Sequence, residues 1–156
     1  MANTYSQVYL QFIFAVKGRQ SLINQKYNEE LQKYITGIAQ KRKQKVLAIN
    51  NVPNHLHLFV GFSTTMSMAD FMEEVKAISS KFINEKGWMS GKFEWQRGYG
   101  VFSYSRSQID AVVKYIMNQQ EHHKKHTFKE EYLEFLKKFG VDYDEKYLFD
   151  WVEEDE

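Results

Sequence analysis

Cysteine is absent from this 156-residue chain, which removes disulfides, thiolate metal sites and cysteine nucleophiles together. Any metal must be held by nitrogen and oxygen ligands. Proline occurs once, at Pro53, and no apolar run reaches the ~18 residues of a membrane span. The amino-terminal MANTYSQVYLQFIFAV has no basic segment ahead of its apolar stretch. Secretion and membrane insertion are therefore not expected, and a cysteine-free chain suits a reducing cytoplasm. No glycine-rich phosphate loop is present, so a nucleotide cofactor is not expected either.

The chain does contain 43% hydrophobic and 16% aromatic residues, enough for one domain with a proper core and too few residues for two. Its net charge of +1 conceals an asymmetry. Residues 1–126 carry 17 Lys/Arg against 9 Asp/Glu, whereas residues 127–156 carry 4 against 11. A basic body followed by an acidic extension suits a polyanionic partner, though scattered lysines also serve simply as a solubilising surface.

Along the chain, TYSQVYLQFIFAV reads as a long strand and residues 25–41 as a helix with Tyr27, Leu31, Tyr34, Ile35 and Ile38 at helical spacing. VLAIN and HLHLFVGF are short strands separated by Asn51-Val52-Pro53-Asn54, too little chain for a crossover, so they form an antiparallel hairpin. Ser67 and Asp70 cap a second helix running to about residue 86, FEWQRGYGVFSYS (93–105) is a fourth strand, and residues 107–126 are a third helix. Phe128 to Phe139 is a short fourth helix, and Tyr147, Leu148, Phe149 and Trp151 are the anchors available to the acidic tail. This order predicts an α+β, ferredoxin-like βαββαβ fold: a four-stranded antiparallel sheet, two helices on one face, and a C-terminal helix carrying Tyr115. Residues 1–126 would form the body and 127–156 an acidic helical extension of the same domain.

His55 and His57 alternate with Leu56 and Leu58, so the two imidazoles share one strand face. Alternate residues lie about 6.5–7 Å apart, close enough for both rings to reach one divalent ion. They can equally be two hydrogen-bonded polar residues on a sheet face. On the third helix Tyr115 and Gln119 are i, i+4 neighbours and face the same point. A phenol needs a base or a cation to become a nucleophile, and an amide oxygen suits a hard ion; the alternative is that Tyr115 packs on the helix flank.

These pieces together carry a resemblance. HLH at 55–57, MSMADFMEEVKAISSKFIN, WQRGYG and the KYIMNQ segment around Tyr115, in this order, resemble the single-tyrosine HUH (His, hydrophobe, His) transposases of the insertion-sequence-200 class and their repeat-associated relatives. The resemblance implies His55, His57 and Gln119 as ligands of Mg²⁺ or Mn²⁺ and Tyr115 as the nucleophile. It implies a bacterial, cytoplasmic enzyme that cleaves and rejoins single-stranded DNA through a 5′-phosphotyrosine, recognises hairpins, and acts as a homodimer. Lys41, Arg42, Lys43, Lys45, Arg97 and Arg106 are the leading candidates to hold the DNA, with Lys76 and Lys81 behind them and Trp95 and Tyr99 as stacking surfaces. His122 and His126 fall outside the family pattern and read as a surface cluster with Lys124 and Lys125, or else as rivals to Gln119. Competing readings are a domesticated hairpin-nicking relative, a nucleic-acid-binding module without chemistry, and a metal-dependent hydrolase using water.

Overall fold

The computed structural model describes residues 3–153. Four strands, β1 (Tyr9–Ala15), β2 (Lys45–Val52), β3 (His55–Gly61) and β4 (Gly100–Tyr104), form one antiparallel sheet in the order β2-β3-β1-β4. Helices α1 (Asn28–Lys41) and α2 (Met68–Lys86) cover one face. This is the ferredoxin-like arrangement expected from the sequence. α2 starts where Ser67 Oγ accepts from the Asp70 amide at 3.0 Å and stops at Gly87, which takes the left-handed conformation at φ 65°.

Strand alternation decides which residues each face receives. Phe12, Phe14, Leu56, Leu58 and Val60 pack against Leu31 and Ile35 of α1 and Phe71, Met72 and Val75 of α2. Ile13, Ala15, Phe59 and the two histidines point the other way, where α3 (Ile109–Met117), α4 (Gln119–His122) and α5 (Phe128–Lys138) close over them. The sheet is therefore a middle layer. Phe128 and Tyr132 of α5 receive Phe149 and Trp151 from the tail, whereas Tyr147 stays 80% exposed.

Three elements depart from the sequence expectation. The first strand begins only at Tyr9, opposite Gly61 and Tyr104, where its antiparallel neighbours end. The fourth strand is confined to 100–104; ahead of it one bridge, Val16 to Trp95, survives. There Trp95 turns into the core, donating to Ser79 Oγ at 3.0 Å, and Gly98 at φ 80° redirects the chain. Most consequential, the third helix is broken at Asn118. Asn50 Nδ2 of β2 takes the Ile116 carbonyl at 2.9 Å, a side chain inserted into the helical ladder.

Candidate metal and tyrosine site

His55 and His57 are both fully buried under the second helical layer. His55 Nδ1 lies 2.7 Å from Asn54 Oδ1, and Asn54 Nδ2 donates to the Val152 carbonyl at 2.9 Å, which fixes the amide with its oxygen toward the imidazole. His57 Nδ1 lies 2.6 Å from Gln11 Oε1, and Gln11 Nε2 donates to Tyr104 Oη at 2.8 Å. Amide oxygens only accept, so each Nδ1 carries a proton, and in the neutral ring Nε2 is the nitrogen left with a lone pair.

Those lone pairs converge on oxygen. Glu131 Oε1, reaching down from α5, is 3.1 Å from His55 Nε2 and 3.3 Å from His57 Nε2. Gln119, buried at the start of α4, places Oε1 3.2 Å from His55 Nε2 and donates through Nε2 to Glu131 Oε2 at 2.8 Å. Tyr115 donates its hydroxyl to the same Glu131 Oε2. Phe128 closes the far side, its ring stacked on His55 at 3.9 Å.

Burial lowers His55 to a pKa of about 4, so its imidazole is neutral at neutral pH. For Glu131, burial by itself would raise the carboxyl, and it is charge and N–H donation from the imidazoles of His57, His123 and His55, wherever they carry the proton, that lower it below its ordinary value. Tyr115 is pushed well above the usual phenol range, first by burial and then by the Glu131 charge. With the rings neutral, acceptor faces acceptor around an anionic carboxylate, a set that a cation would complete. An ion with ~2.1 Å bonds separates adjacent ligands by roughly 3.0–3.4 Å, and the His55 to Glu131 and His57 to Glu131 spacings match. The donors of these three residues all lie within 4.8 Å of one another.

A family model, "Transposase IS200 like", matches residues 4–119. The chain belongs to the IS200-like transposase family. ISDra2 transposase TnpA of Deinococcus radiodurans is 23% identical to it over 122 residues, covering 74% of this chain and 86% of that protein. A crystal structure of a protein assigned as a transposase in D. radiodurans R1 superposes with a TM-score of 0.59 at 21% identity, over 75% of this chain and 94% of the other. The REP-associated tyrosine transposase bound to a REP hairpin superposes with a TM-score of 0.57 at 17% identity, over 78% and 72%. These two share the fold of this IS200-like transposase.

The transposase thus brings Tyr115, Gln119, His55 and His57 together within one chain, the tyrosine helix closing over its own sheet. Two residues that sequence reasoning missed, Glu131 and His123, join the cluster, both beyond the matched segment. His123 Nε2 lies 3.0 Å from both Gln119 Oε1 and Glu131 Oε1. A signal for Glu131 existed: it sits three residues after Phe128 and four before Phe135, a carboxylate on an apolar helical stripe. The expected surface cluster of His122 with Lys124 and Lys125 is not what forms. His122 turns its Nε2 inward, whereas Lys124 pairs with Glu121 at the surface.

The basic residues do not gather at this site. Lys45 pairs with Gly61, six residues along β3 from His55, or ~20 Å; Lys41, Arg42 and Lys43 lie at that same far end. Arg42 is further committed to Glu74 at 2.7 Å. Arg106 follows β4 beyond Tyr104, again at the Gly61 end, while Arg97 is exposed at the His55 end. Lys76 is half-buried, lowered to about 8 by burial, and holds the Gln96 and Gly98 carbonyls; Lys81 remains exposed. Trp95 is buried and Tyr99 packs on Phe12, so neither ring is a free stacking surface.

Proposed function

We propose that this transposase cleaves and rejoins single-stranded DNA, with Tyr115 as nucleophile and a divalent ion, Mg²⁺ or Mn²⁺, held by His55, His57, Glu131 and Gln119. The observation that carries this is the convergence of two imidazole Nε2 atoms, the Gln119 amide and the Glu131 carboxylate that also accepts the Tyr115 hydroxyl. A bound ion would orient the scissile phosphate and stabilise charge moving to its leaving oxygen.

The chain's own groups do the rest. Tyr115 Oη attacks phosphorus as Glu131 Oε2 takes its proton. The P–O3′ bond breaks, leaving a 5′-phosphotyrosine, and the departing 3′ oxygen takes up a proton to become a hydroxyl. Attack by another 3′-hydroxyl reverses the step and restores the tyrosine. A 380 Å³ cavity lined by Tyr115, His122, Glu131, Gln11, Tyr104 and Phe135, among others, gives the strand its approach. A hairpin-forming strand is the substrate this reading takes from the REP-hairpin relative. Because Tyr115 meets the histidines of its own chain, the homodimer is not needed to assemble the chemistry.

The test is an end-labelled single-stranded hairpin oligonucleotide from the flanks of the gene, incubated with the protein and Mg²⁺ or Mn²⁺. A covalent adduct is expected that resists denaturation and disappears in Tyr115→Phe while DNA binding persists. An adduct that survives Tyr115→Phe overturns the nucleophile.

A further inference from the structure

The first ion leaves part of the cluster unused. His123 Nδ1 lies 2.8 Å from the His126 carbonyl, which only accepts, so His123 Nε2 also presents a lone pair; it faces the oxygens of Gln119 and Glu131. His122 Nε2 is buried, finds no hydrogen-bond partner among the described residues, and sits 3.8 Å from Glu131 Oε2. In the tautomer with its proton on Nδ1, such an orphaned imidazole nitrogen beside a carboxylate is completed by a cation. The donor atoms fall into two sets, each lying within 4.8 Å: His55, His57 and Glu131, and His122, His123 and Glu131. Glu131 is common to both.

We propose that His122, His123 and Glu131 hold a second divalent cation, with the Glu131 carboxylate bridging it to the ion at His55 and His57. Two imidazoles and a carboxylate select a first-row ion such as Mn²⁺, Co²⁺ or Zn²⁺ over Mg²⁺. His55, His57 and His123 all face Glu131 Oε1, so that oxygen is the shared ligand and Oε2 stays with Tyr115; two ions sharing a carboxylate suit a separation of ~3.5–4 Å, the spacing at which paired ions clamp a phosphoryl group from both sides. Position supports the same assignment. His122 and Glu131 line the 380 Å³ cavity together with Tyr115, whereas His55 and His57 do not. His122 and Glu131 are thus the part of the cluster that faces the cavity. The rings of His122 and Tyr115 are 5.4 Å apart, so the cation would stand beside the attacking hydroxyl.

The bridge rests on the ion proposed above, and the test separates the two. The full chain is stripped with chelator and titrated with MnCl₂, with bound Mn²⁺ counted by equilibrium dialysis and its electron paramagnetic resonance spectrum recorded. Two Mn²⁺ per chain are expected, with the broadened spectrum of a coupled pair rather than the resolved hyperfine pattern of isolated ions. His122→Ala/His123→Ala should retain one uncoupled Mn²⁺. One Mn²⁺ in the wild type, lost on His55→Ala/His57→Ala, overturns the second site and leaves the first standing. Two coupled ions retained in His122→Ala/His123→Ala also overturn it, and a wild type that takes up no Mn²⁺ overturns both sites. The wild-type count and spectrum decide the matter even where a variant fails to fold.

Discussion

Acid should destabilise the metal-free transposase through His55 well before general acid unfolding. His55 is wholly buried and burial lowers it from 6.5 to about 4. The unfolded chain therefore takes up this proton first as pH falls. The contribution is complete above pH 6.5 and is lost progressively down to about pH 4. At 1.36 kcal/mol per unit this single ring is worth about 3 kcal/mol, a large fraction of the ~5–15 kcal/mol typical of a domain. His122, also lowered chiefly by burial, acts in the same direction. Glu131 is held below its ordinary value, so its contribution is present above about 4.5 and disappears only below that. Urea unfolding in chelator at pH 7.5, 6.5, 5.5 and 4.5 measures the effect. Stability should fall by roughly 1 kcal/mol per unit or more across the middle of that window, and His55→Gln should lose about one proton's worth of the slope. A wild-type stability that is flat from pH 6.5 to 4.5, or a His55→Gln slope equal to wild type, refutes the claim that His55 is held buried and neutral.

Other outcomes follow from the same contacts. Phe128→Ala removes the ring stacked on His55 and should cost about 3–5 kcal/mol in urea unfolding. Gly100→Ala drives a Cβ into the Tyr132 ring and hydroxyl; a loss of ~1–3 kcal/mol is expected, and combining it with Tyr132→Ala should give a loss smaller than the sum of the two. Saturating Mn²⁺ at a hundred times its Kd for the His55 and His57 site should raise stability by about 2.7 kcal/mol through that site, and His57→Ala should remove that share of the gain. Single-stranded DNA binding should weaken steeply with added salt; a flat response would remove the exposed Lys41, Lys43 and Lys45 from the binding surface.

The fold was legible because its signals are local. The alternation that sends Leu56 and Leu58 one way and His55 and His57 the other, the Pro53 turn and the Ser67 cap each act within a few residues. Where a distant residue intervened, local reading failed. Helical periodicity runs unbroken through Asn118, and only the Asn50 side chain, 66 positions from the carbonyl it takes, ends α3 there. That break matters for function, because α4 starts with Gln119 and carries the chain on through His122 and His123 to the turn before α5.

Glu131 illustrates the same limit more sharply. It is one of eleven acidic residues in the last thirty, and its neighbour Glu130 does the conventional work of capping, accepting from the Thr127 amide at 2.8 Å. A carboxylate next to a capping glutamate reads as surface charge. Its position on the Phe128, Tyr132 and Phe135 stripe demanded a buried partner, but the stripe names no partner, since what lies under α5 is set by the sheet. Once α5 lies on that face, the carboxylate meets four imidazoles, an amide and a phenol, and the charge it brings is what the neutral His55 lacks. The acidic extension, taken as a counterweight to a basic body, thereby supplies the one anionic ligand in the described cluster. Of its acidic side chains Glu131 is the one that the cluster itself depends on, because removing it would leave lone pairs facing one another with no charge to hold a cation between them.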